Sequence, residues 1–373
     1  MNRVVRAAVK VGIEQTEIQE FPWPEISEDA GVLKVEASGV GGSDPEMYRR
    51  ENTAPCIMGH ENVGTVVEAG PLFGHRWGLK PGDRIALHEY LPCWRCHWCL
   101  QGDQRLCIEA DFFNVKDRFN TLRYGTCNAE IAPHLWGGNA EYMYLAPNAV
   151  VHKIPASMDA RHATLAVPLG NGFQWAVLDG GAKVGKTVLV FGPGQQGLGC
   201  VLAAKSAGAA KVILCGMGRD RARLDLALKL GADFAVDIES EDLAGIVMRE
   251  TNGLGVDVVV DTTGDPDGSI VEQAISLSAK GAWLSLNGLK QQVPLNEIKK
   301  RYLTVKAPRG HSYGSVELAL QLIGSGRWPI DLLCSHDFGL EDVHQAIMAT
   351  AGREIEGAVH VTVSPGKNER ADR

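Results

Sequence analysis

The sequence predicts an α/β protein in which a β-rich segment precedes a doubly wound parallel sheet. Over the first 150 residues, short apolar segments alternate with glycine and proline, a pattern typical of strands joined by turns. From about residue 159, apolar strands alternate with longer helical stretches, which indicates a parallel sheet with helices on both faces. The length of 373 residues suits two domains of about 150 residues each.

The β-rich part contains five predicted strands, each bounded by residues that favour turns. They are Val4 to Val11, Gly31 to Ser38, Asn62 to Ala69, Asp83 to His88 and Ala140 to Leu145.

The second part repeats a strand and helix pattern before a short C-terminal region. Its predicted strands are Thr187 to Phe191, Lys211 to Cys215, Val256 to Asp261 and Ala282 to Leu286. Its predicted helices are Gln196 to Ala207 and Arg219 to Leu230. After about Leu303 we expect helices at Ser315 to Ser325 and Leu340 to Thr350, a strand at Ala358 to Val363, and a frayed polar end at Ser364 to Arg373.

Composition narrows the class of function. Lysine and arginine number 37 against 45 acidic residues, a net charge of −8, so we expect no nucleic-acid partner. No stretch approaches the roughly 18 apolar residues of a membrane span, so no membrane partner is expected. The N-terminal segment lacks the apolar block of a signal peptide. We therefore expect a cytoplasmic protein that acts on a small-molecule substrate.

A glycine-rich turn follows the strand that ends at Phe191. It reads Gly192-Pro193-Gly194-Gln195-Gln196-Gly197 and leads into an apolar helix. Glycines at this spacing allow a tight turn, close approach of the backbone to a pyrophosphate, and close packing of helix on strand. The second strand arrives about 20 residues later, as a dinucleotide site requires. The alternative is an ordinary glycine-rich turn.

The end of the second strand bears on which dinucleotide is used. A site for NAD usually carries an acidic residue there, but this chain has Cys215 to Arg219, with Gly216 after the cysteine and no carboxylate. Without that charge a 2′-phosphate is not repelled, and Arg219 is a candidate to bind it. We therefore predict NADP, with NAD as the alternative and Arg219 then an ordinary solvated residue.

Four of the nine cysteines lie close together in the sequence. Four thiolates complete a tetrahedral shell with no open position, so a zinc ion bound in this way is structural. The alternative is redox-active or unmetallated cysteines. The predicted zinc ligands are Cys93, Cys96, Cys99 and Cys107.

Taken together, these motifs resemble the zinc-containing medium-chain alcohol and polyol dehydrogenases, such as the sorbitol and threonine dehydrogenases. The shared features are the cysteine lobe, Gly59-His60-Glu61, the Gly192 to Gly197 turn and the later Val258 to Gly264 segment. The resemblance implies a GroES-like catalytic domain at 1–158, resumed at 298–373, and a Rossmann domain at 159–297, with the active site in the cleft between them. It also implies a homodimer or homotetramer.

The resemblance further implies a catalytic zinc with three protein ligands, and two of these are missing here. Gly41 stands where the family has its first cysteine, and Val167 stands where it has an acidic or cysteine ligand. Only His60 remains. One histidine cannot retain zinc against competition in the cytosol. Cys56, Asp44 and Glu61 are candidates to rebuild the site, but we expect a structural zinc and no catalytic one.

A chain without catalytic zinc suits an acceptor that is already electron-poor, such as a conjugated double bond or an iminium carbon. Zinc-free branches of the superfamily are largely enoyl or quinone reductases. We therefore expect NAD(P)H-dependent reduction of an activated acceptor. The alternatives are an alcohol or polyol dehydrogenase whose zinc is rebuilt or dispensable, and a nucleotide-binding protein that has lost catalysis.

Four residues are candidates for the catalytic groups. His60, backed by Asp44, is the candidate oxyanion donor. Ser43 matches the family's proton-relay hydroxyl, and Glu61 is expected to tune this network. Asn171 is expected near the nicotinamide. The alternatives are a relic role for His60, a helix-capping role for Ser43 and a structural role for Glu61.

Overall fold

The computed structural model describes residues 3–51, 54–111, 114, 120–264, 268–288, 293–353 and 355–367. The chain divides into two compact units. The first combines Met1–Val167 with Leu333–Arg373, and the second is Pro168–Leu332. In the described part of the chain, no helix is long and apolar enough to cross a bilayer.

The strands follow the predicted order, with several additions. They are β1 Val4–Gly12, β2 Gln15–Pro22, β3 Gly31–Gly39, β4 Cys56–Ile57, β5 Glu61–Ala69, β6 Arg84–Leu87, β7 Tyr142–Leu145, β8 Val151–Lys153, β9 Thr187–Phe191, β10 Lys211–Gly216, β11 Phe234–Asp237, β12 Val256–Asp261, β13 Ser278–Leu286, β14 Thr304–Lys306, β15 Cys334–Phe338 and β16 His360–Val363.

The α-helices are short in the first unit and longer in the second. A π-helical segment, Phe173–Leu178, directly continues α5. The helices are α1 Asp44–Arg49, α2 Pro71–Trp77, α3 His97–Leu100, α4 Ala160–Thr164, α5 Ala166–Gly172, α6 Gln195–Ser206, α7 Arg221–Lys229, α8 Leu243–Glu250, α9 Ser269–Leu277, α10 Leu295–Arg301, α11 Tyr313–Gly324 and α12 Val343–Thr350.

The first unit contains two sheets. A three-stranded sheet has the order β2-β1-β4, and a seven-stranded sheet has the order β15-β16-β3-β5-β6-β8, with β7 paired to β3. The pairs are antiparallel except β15 with β16. Strand β2 was not predicted because its residues are partly or fully exposed, so it lacks the apolar alternation of a strand packed on a core.

The second unit is built on one parallel sheet with the order β11-β10-β9-β12-β13-β14. This is the doubly wound arrangement in which a dinucleotide binds at the carboxyl ends of the central strands. Val188, Leu189 and Val190 of β9 are fully buried, and burial of each such side chain contributes about 1.5 to 3 kcal/mol. The predicted fold class is confirmed.

The unit boundaries fall later in the chain than 158 and 297. Strand β14 pairs in parallel with β13, so the segment after residue 298 extends the second unit's sheet. The π-helical segment is also tied to residues beyond 298, because Trp175 Nε1 donates to the carbonyl of Gly310. The second unit therefore continues to Leu332.

The start of the C-terminal tail is ordered, contrary to the predicted fraying. Ser364 donates its backbone N–H to Phe338 at 2.8 Å and its hydroxyl to Asp337 at 2.7 Å. These bonds tie residue 364 to β15. The last six residues of the predicted tail, 368–373, lie outside the described residues.

Candidate functional site

The glycine-rich turn between β9 and α6 is shaped by steric limits at two positions. Gly192 has φ of +95°, a left-handed conformation that favours glycine. A Cβ on Gly197 would lie 1.8 Å from the carbonyl oxygen of Gly192, so any side chain there would force the turn open. A Cβ on Gly194 would meet nothing within 4 Å. The turn thus leaves a bare backbone surface that fits the predicted contact with a pyrophosphate.

The predicted cofactor residues Gln195 and Gln196 begin α6 directly after this turn. Gln195 is buried. A side chain on Gly216, the last residue of β10, would come 2.7 Å from Pro193 in the turn. The structure therefore brings the ends of β9 and β10 together, while Arg219 is exposed beyond them.

Asn171 lies in α5 and is buried. Its Oδ1 atom is 3.1 Å from Nδ1 of His311, which is also buried. His311 precedes α11 and was not singled out from the sequence, since no motif surrounds it. This contact fixes the Asn171 side chain within the second unit, and its expected role near the nicotinamide stays a prediction.

The His60 ring lies directly beside Gly41, which has no side chain. A Cβ built on Gly41 would be 2.5 Å from Cε1 and 2.6 Å from Nε2 of the His60 ring. The imidazole therefore fills the space that a cysteine at position 41 would need. The other ring nitrogen, Nδ1, is 3.2 Å from Oδ1 of Asp44. The second oxygen of Asp44 accepts the backbone N–H of Gly41 at 3.0 Å, so both groups are fixed.

Glycines allow the chain to pack closely around His60. Gly59 has φ of +93°, and a Cβ there would lie 2.5 Å from Ser38 Oγ. A Cβ on Gly125 would lie 3.0 Å from Cβ of His60. The His60 side chain is 13% exposed.

Glu61 is buried at the start of β5 and faces His360. Oε2 of Glu61 lies 3.8 Å from Nδ1 of His360, whose pKa is lowered to about 3 by burial and by His162. Nε2 of His360 is bonded to the hydroxyl of Thr164 at 2.7 Å. His360 is therefore favoured in its neutral form at neutral pH.

His60 is favoured in its protonated form. Burial disfavours the charged ring, but the carboxylates of Asp44, Glu61 and Glu89 outweigh that cost and raise the pKa of His60 to about 9. A ring protonated at neutral pH has a hydrogen on Nε2 as well as on Nδ1. His60 can therefore donate a hydrogen bond to an oxygen that gains negative charge.

Glu89 and Arg123 belong to this group but were not identified from the sequence. Glu89 is buried, and its Oε1 accepts from Arg123 Nη2 at 3.1 Å. The backbone carbonyl of Glu89 also accepts from Tyr124 N–H. The two charged residues are 34 positions apart and lie in no motif. A carboxylate directly after an apolar strand was the one available signal.

Ser43 precedes α1 and its side chain is exposed. Its hydroxyl makes no capping hydrogen bond to the helix. The geometry therefore gives no support to the capping alternative, and the proton-relay role stays a prediction.

Val167 and Cys56 are the remaining positions that were considered for a catalytic zinc. Val167 is buried and apolar. Cys56 lies in β4 opposite Lys10 and packs in a hydrophobic cluster. Within the part of the chain that the structure describes, His60 and its neighbours do not form a group of three ligand atoms close enough to share a metal ion.

The four predicted zinc ligands do form such a group. Their sulfur atoms all lie within 4.8 Å of one another. Backbone N–H groups of Cys93 and Cys96 point at sulfur atoms of Cys107 and Cys93, at 3.3 and 3.4 Å. Four clustered thiol groups are the donor set that zinc prefers in closed structural sites, so the residues present fit this ion.

Comparison with known proteins places the chain in a family. Residues 27–156 match the alcohol dehydrogenase GroES-like domain, and residues 197–324 match the zinc-binding dehydrogenase domain. A probable alcohol dehydrogenase of Mycobacterium tuberculosis is 34% identical over 376 residues, covering 97% of this chain and 99% of that protein. The chain belongs to the zinc-containing medium-chain dehydrogenase family. As a member of this family, it is an NAD(P)-dependent oxidoreductase.

Other members of the medium-chain dehydrogenase family extend the similarity. The erythritol/L-threitol dehydrogenase of Mycolicibacterium smegmatis is 29% identical, covering 97% of this chain and 98% of that protein. The crystal structure of an alcohol dehydrogenase from Thermotoga maritima matches with a TM-score of 0.84 and 25% identity, covering 97% and 100% of the two chains. A zinc-binding dehydrogenase from Sinorhizobium meliloti bound to NADP matches with a TM-score of 0.81 and 27% identity, covering 97% and 100%.

Proposed function

We propose that this medium-chain dehydrogenase works without a catalytic zinc and reduces an electron-poor double bond conjugated to a carbonyl group. The observation that carries the proposal is at Gly41. This residue offers no ligand atom, and the His60 ring fills the space that a cysteine there would need. Val167 offers no ligand atom either. The protein must then stabilise developing negative charge with its own groups.

His60 is the group best placed to stabilise that charge. Asp44 holds its Nδ1, and the pKa of about 9 keeps the ring protonated at neutral pH. A charged donor fixed before the reaction stabilises an oxyanion without reorganising. Glu89 and Glu61 add to the field that keeps the ring charged.

The bonding changes balance with one hydride and one proton. A reduced nicotinamide cofactor, when bound, would supply the hydride. When the β-carbon accepts it, the electron pair of the double bond moves towards the carbonyl oxygen, which receives a hydrogen bond from His60. A proton added to the α-carbon then gives the saturated product. The exposed hydroxyl of Ser43 is the proposed relay for this proton.

Other residues of the chain would bind the dinucleotide cofactor and the structural zinc. The backbone of the Gly192 to Gly197 turn would bind the pyrophosphate of the cofactor, since Gly194 leaves it open. The four cysteines would bind one structural zinc, which orders their lobe and takes no part in the reaction.

Oxidation of an alcohol or polyol is the second candidate, because the relatives include a probable alcohol dehydrogenase and an erythritol/L-threitol dehydrogenase. Without a metal, the chain would need His60 in its neutral form to accept the hydroxyl proton that the alcohol loses as it is oxidised. The raised pKa of His60 makes that form scarce at neutral pH. The reductase proposal agrees better with the site.

The test is turnover by the purified full-length chain with both classes of substrate. We expect NADH or NADPH to be oxidised with enones or enoyl thioesters, and a deuterium-labelled cofactor to place its label on the β-carbon. His60→Ala should lower kcat/KM by about a hundredfold or more, whereas the exposed His75→Ala should not. Oxidation of polyols without reduction of any activated double bond would contradict the proposal. Cofactor binding without turnover in either direction would indicate a non-catalytic protein.

A further inference from the structure

The loop that follows β14 is bonded to the π-helical segment on both sides of His311. The Nε1 atom of Trp175 donates to the carbonyl of Gly310 at 3.0 Å, and the Oε1 atom of Gln174 accepts the backbone N–H of Ser312 at 3.3 Å. His311 itself is 1% exposed. Bonds to both of its chain neighbours therefore fix the backbone position of a buried histidine that the proposed chemistry does not use.

The contact between Asn171 and His311 determines which way the Asn171 amide faces. Its Oδ1 atom lies 3.1 Å from Nδ1 of His311. Because an amide oxygen only accepts hydrogen bonds, Nδ1 of His311 carries the hydrogen and donates it.

The Nδ2 atom of Asn171 is then left as a hydrogen-bond donor. It has no hydrogen-bond partner among the residues that the structure describes, and protein atoms do not fully enclose it. Asn171 as a whole is only 9% exposed. A nearly buried donor without a partner is costly, so this amide nitrogen points to a bound molecule that accepts from it.

Asn171 lies near the edge of the sheet that carries the glycine-rich turn. A Cβ on Gly172 would lie 2.5 Å from the backbone of Gly199 in α6, and α6 begins at Gln195, directly after the turn. His311 lies in the loop that leaves the carboxyl end of β14. Since β14, β13, β12 and β9 are all parallel, that end is at the same edge as the turn.

The strand order assigns this loop to one half of the dinucleotide. In a doubly wound sheet the pyrophosphate lies at the glycine-rich turn, and the adenosine lies over the strand that follows the first helix. That strand is β10, on one side of β9, whereas β12, β13 and β14 lie on the other side. The nicotinamide half therefore lies towards β14, the strand from which the loop with His311 leaves.

The carboxamide of nicotinamide suits the donor on Asn171. Its carbonyl oxygen accepts hydrogen bonds, and it projects from one side of the ring. Turning the ring over about its bond to the ribose would carry the carboxamide away from this donor. A fixed donor therefore also selects the face of the ring from which hydride leaves.

We propose that Nδ2 of Asn171 donates to the carbonyl oxygen of the nicotinamide carboxamide, and that His311 is the positioning residue that turns the Asn171 amide this way. The proposal rests on binding of the dinucleotide at the glycine-rich turn, which is part of the proposed function. It depends neither on the substrate nor on the absence of a catalytic zinc.

The test compares a complete cofactor with the fragment that lacks nicotinamide. NADPH and ADP-ribose 2′-phosphate, and likewise NADH and ADP-ribose, are titrated into the full-length chain by calorimetry without substrate. Asn171→Leu removes the donor, and His311→Phe keeps a ring but removes the Nδ1 hydrogen. In both we expect affinity for the tighter-binding cofactor to fall about fivefold or more, and affinity for its fragment to change less than about twofold. His311→Gln can still donate to Asn171 and should recover most of the loss.

Equal weakening of cofactor and fragment would show a merely structural role and would overturn the inference. Unchanged cofactor affinity in Asn171→Leu would overturn it as well. A His311→Phe chain that binds the cofactor like the wild type, or that does not fold, would refute the positioning role of His311 and leave Asn171→Leu to decide on the donor. Binding of neither dinucleotide by the wild type would refute dinucleotide use altogether. The expected affinities in a chain that reduces no activated double bond would support this inference and refute only the reductase proposal.

Discussion

The imidazole of His60 occupies the space beside Gly41 that a larger residue would need, and Asp44 fixes its opposite nitrogen. At the scale of single residues, the position of the His60 ring therefore depends on the absence of a side chain at residue 41 as well as on its contact with Asp44. In the proposed function, His60 acts as a charged hydrogen-bond donor and not as a metal ligand. Glu61 and Glu89 supply further negative charge that favours the protonated ring.

Replacing Gly41 by alanine tests this packing. The added Cβ would overlap the His60 ring at 2.5 Å, so the ring must move away from its present position. We expect kcat/KM for an activated double bond to fall about tenfold or more, with overpacking costing about 1 to 3 kcal/mol of unfolding free energy. Gly42→Ala is the control, since a Cβ there meets nothing within 4 Å. Equal effects of the two changes would contradict the packing argument.

The pH dependence of reduction tests the charge on His60. Its pKa is raised from 6.5 to about 9, so the protonated donor is present at neutral pH and is lost as the pH rises through 9. We expect kcat/KM to be level near neutral pH and to fall with a midpoint near 9. Asp44→Asn keeps an acceptor for the Gly41 N–H but removes the charge. It should move the midpoint down by about one unit or more, and an unmoved midpoint would exclude His60 as the titrating group.

Residues that act within one short segment could be predicted, and residues that meet across strands could not. The glycines of the Gly192 to Gly197 turn and the four cysteines follow spacing rules that are visible in one stretch of sequence. His311 reaches Asn171 from 140 positions away, and Arg123 reaches Glu89 from 34. Such contacts depend on strand order and register, which local patterns do not specify.

At the scale of elements, the cysteine lobe is the part that we expect to depend most on a metal. It contains a four-residue helix, α3, and a three-residue 3₁₀ turn, Gln104–Leu106. Helices this short are not stable alone. A zinc ion bound by the four clustered sulfur atoms would order the lobe, since binding of zinc contributes free energy to folding.

Replacing one of these cysteines should therefore unfold the lobe. We expect Cys96→Ser to lose the structural zinc and to lower the Tm by several degrees, because a metal-dependent element loses its cross-link. Cys334→Ser changes a cysteine outside the cluster and should retain both zinc and Tm. Metal analysis and differential scanning calorimetry of the two variants check this. A Cys96→Ser protein with full zinc content would show that the ion binds elsewhere.

At the scale of the whole molecule, the sequence predicted the order of the two folds better than their boundaries. The strand and helix alternation predicted the parallel sheet, and the order β11-β10-β9-β12-β13-β14 bears it out. The second unit nevertheless extends to Leu332, because the short strand β14 adds to the sheet's edge. Three residues with one partly buried side chain give too weak a pattern to be recognised beforehand.

The zinc content of the whole chain tests the central claim most directly. Inductively coupled plasma mass spectrometry of the purified, catalytically active protein should give about one zinc per chain, and His60→Ala should leave that number unchanged. About two zinc ions per chain, one of which disappears with His60→Ala, would contradict the account, because His60 would then be a metal ligand and not a charged hydrogen-bond donor.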